Sequence, residues 1–325
     1  MITRALVTGA NGFIGGNLCA ALREQGIPVR GLVLAGTDTT SIVALGVEVV
    51  TADIALPLDP GLFAGVSHVF HLAAIALDWG PGELFERVNV NGTRHVLEAA
   101  CAAGVMHVVH MSSLAVHPYT GHVAGDENTP RGWNINAYTR TKNLAEDIVQ
   151  SFRGRLMVTI IRPGVVPYGP GDRLSLPGLV DALSRGIYAH VGAGRTRVCL
   201  SYVENLADGM ILAACRHGES GAAYVMADDV MTWHEFIDAV ADAFGLPRAR
   251  RSVPFAIAWI AATVLETVYR LLRVRSAPVL TRYRISLFRG DLVFSSAKAR
   301  RELRYRPRVP LHEGLRRTRA GLDRK

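Results

Sequence analysis

The chain has 325 residues, 49% of them hydrophobic, with a mean hydropathy of +0.20, which is long and apolar enough for one large α/β unit and a smaller attached region. Its formal charge of +8 is unevenly placed: residues 1–247 hold 16 basic and 23 acidic side chains (−7), residues 248–325 hold 20 and 5 (+15). The four cysteines (Cys19, Cys101, Cys199, Cys215) are far apart and form no CxxC or Cys/His ligand spacing, which excludes a disulfide framework or zinc site and reads as reduced thiols in a cytosolic protein.

The opening residues Ile2–Thr8 run straight into a glycine-rich turn, so they read as a first strand and not as a signal peptide. A helix is predicted over Phe13–Gln25, followed by buried strands at Val29–Leu34, Val47–Val50 and Val69–Leu72. Next come a helix over Glu83–Ala103, a strand at His107–Met111, a helix over Ala137–Phe152 and a strand at Met157–Ile161. Apolar, β-branched runs alternating with amphipathic helices predict an α/β fold, a Rossmann-type doubly wound parallel sheet. The Gly/Pro-dense stretch Arg162–Asp172 marks a break, and Ala222–Met226 reads as a late strand returning to the sheet. The expected division is a dinucleotide-binding domain over 1–165 and a smaller, mostly C-terminal substrate-binding region over 166–325, with about 200–228 returning to the first domain. No internal repeat or low-complexity tract is present.

Thr8-Gly9-Ala10-Asn11-Gly12-Phe13-Ile14-Gly15 lies between the first strand and the first helix. There one glycine permits the tight turn, the next lets backbone approach a pyrophosphate, and the third lets helix pack on strand. The second strand ends Leu34-Ala35-Gly36 without the acid of an NAD site or the arginine of an NADP site, and no cation occurs between Arg30 and Arg87. The expectation is NAD, with NADP left open and Asp38 a displaced ribose partner. Asp53-Ile54, at the next strand end, is placed to contact adenine.

Tyr138-Thr139-Arg140-Thr141-Lys142 sets a phenol and an ammonium on one helix face. A nearby cation favours phenolate, so the tyrosine is expected to titrate closer to working pH and to exchange a proton with a substrate oxygen while hydride moves at the adjacent carbon. Lysine is rare here, with three against 33 arginines, and its compact ammonium suits this role better than a guanidinium. Ser112-Ser113 ends a strand 25 residues earlier, where a hydroxyl can reach the same oxygen.

Together these residues resemble the extended short-chain dehydrogenase/reductase family. The likeness runs through TGANGFIG (8–15), HLAA (71–74), NVNGT (89–93), SSLAV (112–116), YTRTK (138–142), RPGVVPYGPGD (162–172) and YVENLADG (202–209). It implies Tyr138 as general acid/base, Lys142 as its partner and ribose ligand, and Ser113 as the better-aligned hydroxyl with Ser112 the alternate. It also implies a cofactor site of Gly9, Asn11, Gly12, Phe13, Ile14, Gly15, Asp53, Ile54, Ala73, Asn89 and Pro163, and no metal. The C-terminal part, VPFAIAWIAATVLETVYRLL (253–272), PVLTRY (278–283) and FSSAKARRELRYRP (294–307), resembles the 3β-hydroxysteroid dehydrogenase branch, including sterol-4-carboxylate 3-dehydrogenases. Arg304-Tyr305 departs from the branch's usual Gly-Tyr.

Glu266 and Arg270 interrupt the apolar run Val253–Leu272, and arginines flank it at 248, 250, 251, 273 and 275. Two readings stand: an in-plane helix at an anionic membrane surface, or a buried helix capping the substrate pocket. Nothing beyond charge points to nucleic acid. The resulting expectation is a cytoplasmic homodimer, paired through the helices at 83–103 and 137–152 and contacting a membrane through 248–275. It interconverts a secondary alcohol and a ketone on an apolar small molecule. The rivals are a nucleotide-sugar epimerase or dehydratase with bound NAD, for which Arg173, Arg195 and Arg197 offer cations, and a non-catalytic dinucleotide sensor.

Overall fold

The computed structural model describes residues 1–132, 135–173, 175–216 and 218–322. Seven short strands form the central sheet: β1 (Ala5–Thr8), β2 (Val29–Val33), β3 (Glu48–Thr51), β4 (His68–His71), β5 (His107–Met111), β6 (Met157–Pro163) and β7 (Ala222–Met226). All neighbours pair in parallel in the order β7-β6-β5-β4-β1-β2-β3, so Ala222–Met226 does return to the sheet edge. The helices α1 (Phe13–Glu24), α2 (Gly92–Ala102), α3 (Ala137–Ser151) and α4 (Val203–Cys215) cover its two faces.

Because strand side chains alternate, each strand feeds both layers. Val7, Val33, Phe70 and Val109 pack with Leu18 and Leu22 of α1 and Leu206 and Met210 of α4. Leu6, Leu32, Val69 and Val108 pack with Val96 and Leu97 of α2 and Ile148 and Val149 of α3. This double burial explains why the strands read as continuous apolar runs. At the centre, the β4–β5 register sets His68 opposite His107 and His71 opposite His110, with ring centroids 5.9 and 5.3 Å apart. The chain winds outward through β2 and β3, then returns past β1 to β4. That reversal leaves a crevice over the carboxyl ends of β1 and β4.

The helix expected over Glu83–Ala103 forms over Gly82–Ala102, but not with uniform geometry: its first turn, Gly82–Phe85, passes into a π-type turn at Glu86–Asn91 before α2. The wider turn inserts one extra residue per hydrogen-bonded ring, a local change that a 3.6-residue period cannot reveal. Asn89 falls inside it, 2% exposed.

A second sheet runs Val230–Thr232, Arg197–Tyr202, Leu292–Phe294, His122–Gly125, with Val166–Tyr168 alongside Arg197–Tyr202. Tyr168, Leu200 and Tyr202 pack there against Trp233 and Phe236 of α5 (Trp233–Phe244). The apolar segment forms α6 (Phe255–Leu271), which buries Ala258 and Ala262 against Ile285 and Val191. Glu266 is buried on the same face, accepting from the Arg282 backbone N–H at 2.6 Å and its Nε at 2.9 Å. The interrupting acid of the sequence is thus turned inward and paired. Ile257, Ile260, Val264, Val268 and Leu271, by contrast, are 42–77% exposed on the other side. Among the described residues no helix is long and apolar enough to cross a membrane.

Arg304 has φ +59°, so the departure from Gly-Tyr puts a side chain at a left-handed position, where a Cβ is strained. Tyr305 beside it is fully buried and donates its hydroxyl to Asp228. Arg304→Gly is expected to raise the unfolding free energy by about 1 kcal/mol, read from urea titration. A loss of stability would show that the arginine side chain contributes more than its backbone strain costs.

Candidate active site

The crevice is tied together at its base by Thr8. Its Oγ1 accepts the backbone N–H groups of Leu72 and Ala73, each at 3.1 Å, and lies 2.8 Å from His71 Nδ1. Gly9 follows at φ +66°, where an added Cβ would stand 3.0 Å from Ala73 Cα. At Gly15 a Cβ would meet the Gly9 carbonyl oxygen at 2.1 Å. Only glycine permits both approaches. Gly12 starts α1 with no side-chain cap, and the first turn, which includes Phe13 and Ile14, holds no acid. The opening N–H groups and the positive end of the helix dipole are therefore left for an anion. Asn11 donates to Thr37 Oγ1 at 2.9 Å and to the Asp38 carbonyl at 3.1 Å, joining the glycine turn to the loop after β2. The cradle fits the pyrophosphate of a dinucleotide.

The other expected cofactor residues are spread along the strand ends with different engagements. Asp53 Oδ1 accepts the Ala55 N–H at 2.9 Å, and Ile54 is buried against the flat face left by Gly92. Asn89 accepts the Ile75 N–H at 2.8 Å and donates to the Ile75 carbonyl and Thr141 Oγ1, both at 3.1 Å. Its side chain is thus committed to holding the loop after β4. Pro163 ends β6 opposite Met226.

A capping box between Asn136 and Thr139 starts α3 and sets Tyr138 in its first turn. Lys142, one turn on, is 4% exposed and donates to the Met111 carbonyl at 3.0 Å. Burial pulls its pKa down to about 8, with Glu146 opposing. Burial raises the Tyr138 phenol above its usual 10, while a hydrogen bond with the Ser113 hydroxyl lowers it. The expected drift of the tyrosine toward phenolate is therefore reversed, since desolvation outweighs the stabilising groups. Ser113 and Ser112 also part company. Ser113 faces the phenol and accepts the Ala115 N–H at 3.1 Å, whereas Ser112 donates to Glu146 at 2.5 Å.

Sequence reasoning missed what covers and braces this constellation. The Tyr283 ring meets Tyr138 edge-on, centroids 6.1 Å apart at 88°, and its hydroxyl lies 3.4 Å from that of Tyr119. The turn carrying Tyr283 is anchored to the loop after β4, where Asp78 accepts from Thr281 Oγ1 at 2.5 Å and Arg284 Nη2 at 3.0 Å. The available signals were Thr8 opening the TGANGFIG motif, Arg162 opening RPG, and Tyr283 closing PVLTRY. Arg197, weighed as a cation for a diphosphate, is held by Asp291 through Nε at 2.8 Å and Nη2 at 2.6 Å. Among the described residues no His, Cys, Asp or Glu cluster has the arrangement of a metal site.

The family model described as 3-beta hydroxysteroid dehydrogenase/isomerase matches residues 6–255. Over 330 residues the chain is 32% identical to the 2-alkyl-3-oxoalkanoate reductase of Stenotrophomonas maltophilia (strain K279a), with 98% of each chain covered. It is also 32% identical, over 338 residues, to the 3 beta-hydroxysteroid dehydrogenase/Delta 5-->4-isomerase of Mycobacterium tuberculosis (strain ATCC 25618 / H37Rv), covering 96% of this chain and 88% of that one. Among solved structures, gox2253 superposes with a TM-score of 0.81 at 28% identity, covering 99% of this chain and 98% of the other. MoeE5, in complex with UDP-glucuronic acid and NAD, does so with a TM-score of 0.76 at 25% identity, covering 99% of each. The chain belongs to the 3-beta hydroxysteroid dehydrogenase/isomerase family and is an NAD(P)-dependent oxidoreductase of the extended short-chain dehydrogenase/reductase type.

Proposed function

We propose that the chain interconverts a secondary alcohol and a ketone on an apolar, sterol-like or lipid-like substrate, with Tyr138 moving the proton. The observation that carries this is the meeting of the Tyr138 phenol with the Ser113 hydroxyl, one helical turn from a desolvated Lys142. A dinucleotide bound there would supply or accept the hydride at the reacting carbon. Tyr138, which burial keeps protonated at neutral pH, donates its proton to the ketone oxygen, and Ser113 donates a second hydrogen bond to it. Lys142, still an ammonium near neutrality, stabilises the phenolate left behind and holds the nicotinamide ribose.

Gly9, Asn11, Gly12, Phe13, Ile14 and Gly15 would hold the pyrophosphate, and Asp53 and Ile54 the adenine side. Ala73 and Asn89 would line the channel, Asn89 through the loop it fixes, with Pro163 near the nicotinamide. NAD is favoured because the exit of β2 offers no cation. An apolar substrate suits the Tyr119–Tyr283 wall and the names of the two relatives above.

The reading extends to location and assembly. The outward row Ile257, Ile260, Val264, Val268 and Leu271 of α6, with Arg250, Arg251, Arg273 and Arg275 around it, matches an in-plane helix on the cytoplasmic face of an anionic membrane. Leu84 and Leu144, 40% and 37% exposed, mark the helical face through which two copies would pair.

An NADH- and NADPH-absorbance screen of the protein against 3β-hydroxysteroids, 3-keto fatty acids and nucleotide-sugars tests the substrate class. Net cofactor turnover with one of the first two is expected. Conversion of a nucleotide-sugar without net turnover would overturn the reading. Tyr138→Phe should cut kcat by about 10²–10⁴ with cofactor affinity retained; an undiminished rate would remove Tyr138 from the chemistry. Lys142→Met should abolish turnover yet gain about 1 kcal/mol of stability at pH 7, since the native state bears the cost of a desolvated ammonium. Because the folded pKa of about 8 lies below the unfolded 10.5, that gain is full below pH 8 and vanishes as pH rises through 10.5. In vesicle co-sedimentation, Ile260→Asp with Val264→Asp should release the protein from phosphatidylglycerol vesicles, and retained binding would exclude α6 as the contact.

A further inference from the structure

A second buried charge shares α3 with Tyr138 and Lys142. Glu146, one turn beyond Lys142, is 1% exposed, yet its carboxylate accepts four hydrogen bonds. Oε1 receives Ser112 Oγ at 2.5 Å and Arg162 Nε at 2.9 Å, and Oε2 receives Arg162 Nη2 at 2.7 Å and Arg131 Nη1 at 3.0 Å. Arg162 uses its remaining Nη1 on His117 Nε2 at 3.2 Å and the Glu127 carbonyl at 3.1 Å. Ser112 lies between Met111, whose carbonyl receives Lys142, and Ser113, which faces the phenol. Arg162 directly precedes Pro163. One carboxylate therefore fastens the ends of two adjacent strands, β5 and β6, to the helix that carries the proton donor.

We propose that Glu146 is a positioning residue, which keeps Lys142 an ammonium and, through Ser112, fixes the strand end bearing the Met111 carbonyl and Ser113. This rests on the reading of Lys142 as the cation that holds the nicotinamide ribose.

The groups facing Lys142 leave Glu146 as the source of negative charge. From β4 and β5 it meets His71 and His110, which burial keeps uncharged, the first at about 3 and the second well below 6.5. Arg162, on β6, is already bound to Glu146, and on α3 itself Tyr138 stays a neutral phenol. His117, beyond Arg162, is brought down by burial to about 4. Burial alone would protonate Glu146, but Arg162, Ser112 and Arg131 outweigh it and hold the carboxyl below its usual 4.5. An opposite charge at this range supports the charged form of its neighbour, and Glu146 does so for Lys142.

NADH binding, followed by cofactor fluorescence as pH is raised, tests this without knowledge of the substrate. In the native chain affinity should fall as Lys142 loses its proton, near pH 8, and Lys142→Met should flatten that fall. Glu146→Gln, similar in shape but uncharged, should move the midpoint down by about one unit. A folded Glu146→Gln protein with an unmoved midpoint overturns the proposal, because a merely structural ion pair would change melting and not the titration. Should that variant fail to fold, Glu146→Met with Arg162→Met removes both buried charges, an exchange that cores commonly tolerate. The same downward shift is expected there, and its absence is equally fatal. If Lys142→Met leaves the pH dependence intact, the ribose-holding role of Lys142 is what has failed.

Discussion

The whole site depends on how closely two diverging strands can leave the sheet. β1 and β4 are neighbours whose exits carry the chain in opposite directions, and Thr8, which ends β1, accepts from the backbone leaving β4 just where they part. The next residue has no side chain, so the Ala73 backbone comes within 3.0 Å of where a Cβ would be. A side chain at Gly9 would press on the backbone leaving β4, and one at Gly15 would force the start of α1 away from the Gly9 carbonyl. The cofactor cradle is thus a consequence of backbone packing, and no charged side chain is needed to build it.

Upon that frame, desolvation determines the protonation states. Phenol and ammonium stand one turn apart on α3, the phenol covered by Tyr283, and burial disfavours ionisation of each. A buried phenol that keeps its proton is a suitable acid for a ketone oxygen, and an ammonium near its titration point responds readily to nearby charge. Glu266 and Arg282 extend the same economy to the C-terminal region, where one inward acid on α6 fixes the turn leading to Tyr283. The helix can then expose an apolar row on its far side without an unpaired charge on its near side.

Much of this was legible in the sequence because it is local. TGANGFIG lies between a strand and a helix, the YTRTK spacing is a helical one, and the twofold-buried strands betray themselves as unbroken apolar runs. What escaped was either a small shift in helical phase or a meeting of distant segments. The π-type turn at Glu86–Asn91 has an ordinary amphipathic composition. Glu146 reads as one more polar residue on α3 until Ser112 and Arg162 are folded onto it. Tyr283 stands 145 positions after Tyr138, and no periodicity links them. The sequence left two homes for the apolar segment, and only packing distinguishes the face that meets Ile285 from the one left largely exposed.

The histidines paired across β4 and β5 bear on how the fold responds to acid. Neither ring nitrogen of His110 has a hydrogen-bond partner among the described residues, and both His110 and His71 refuse protons well below 6.5. Unfolded, each imidazole would take one up at its ordinary value. As the medium acidifies below 6.5, each therefore drains about 1.4 kcal/mol of folding free energy per pH unit, for His71 until about 3. The centre of the sheet is thus a seam that weakens as the medium acidifies, whatever the catalytic groups would tolerate.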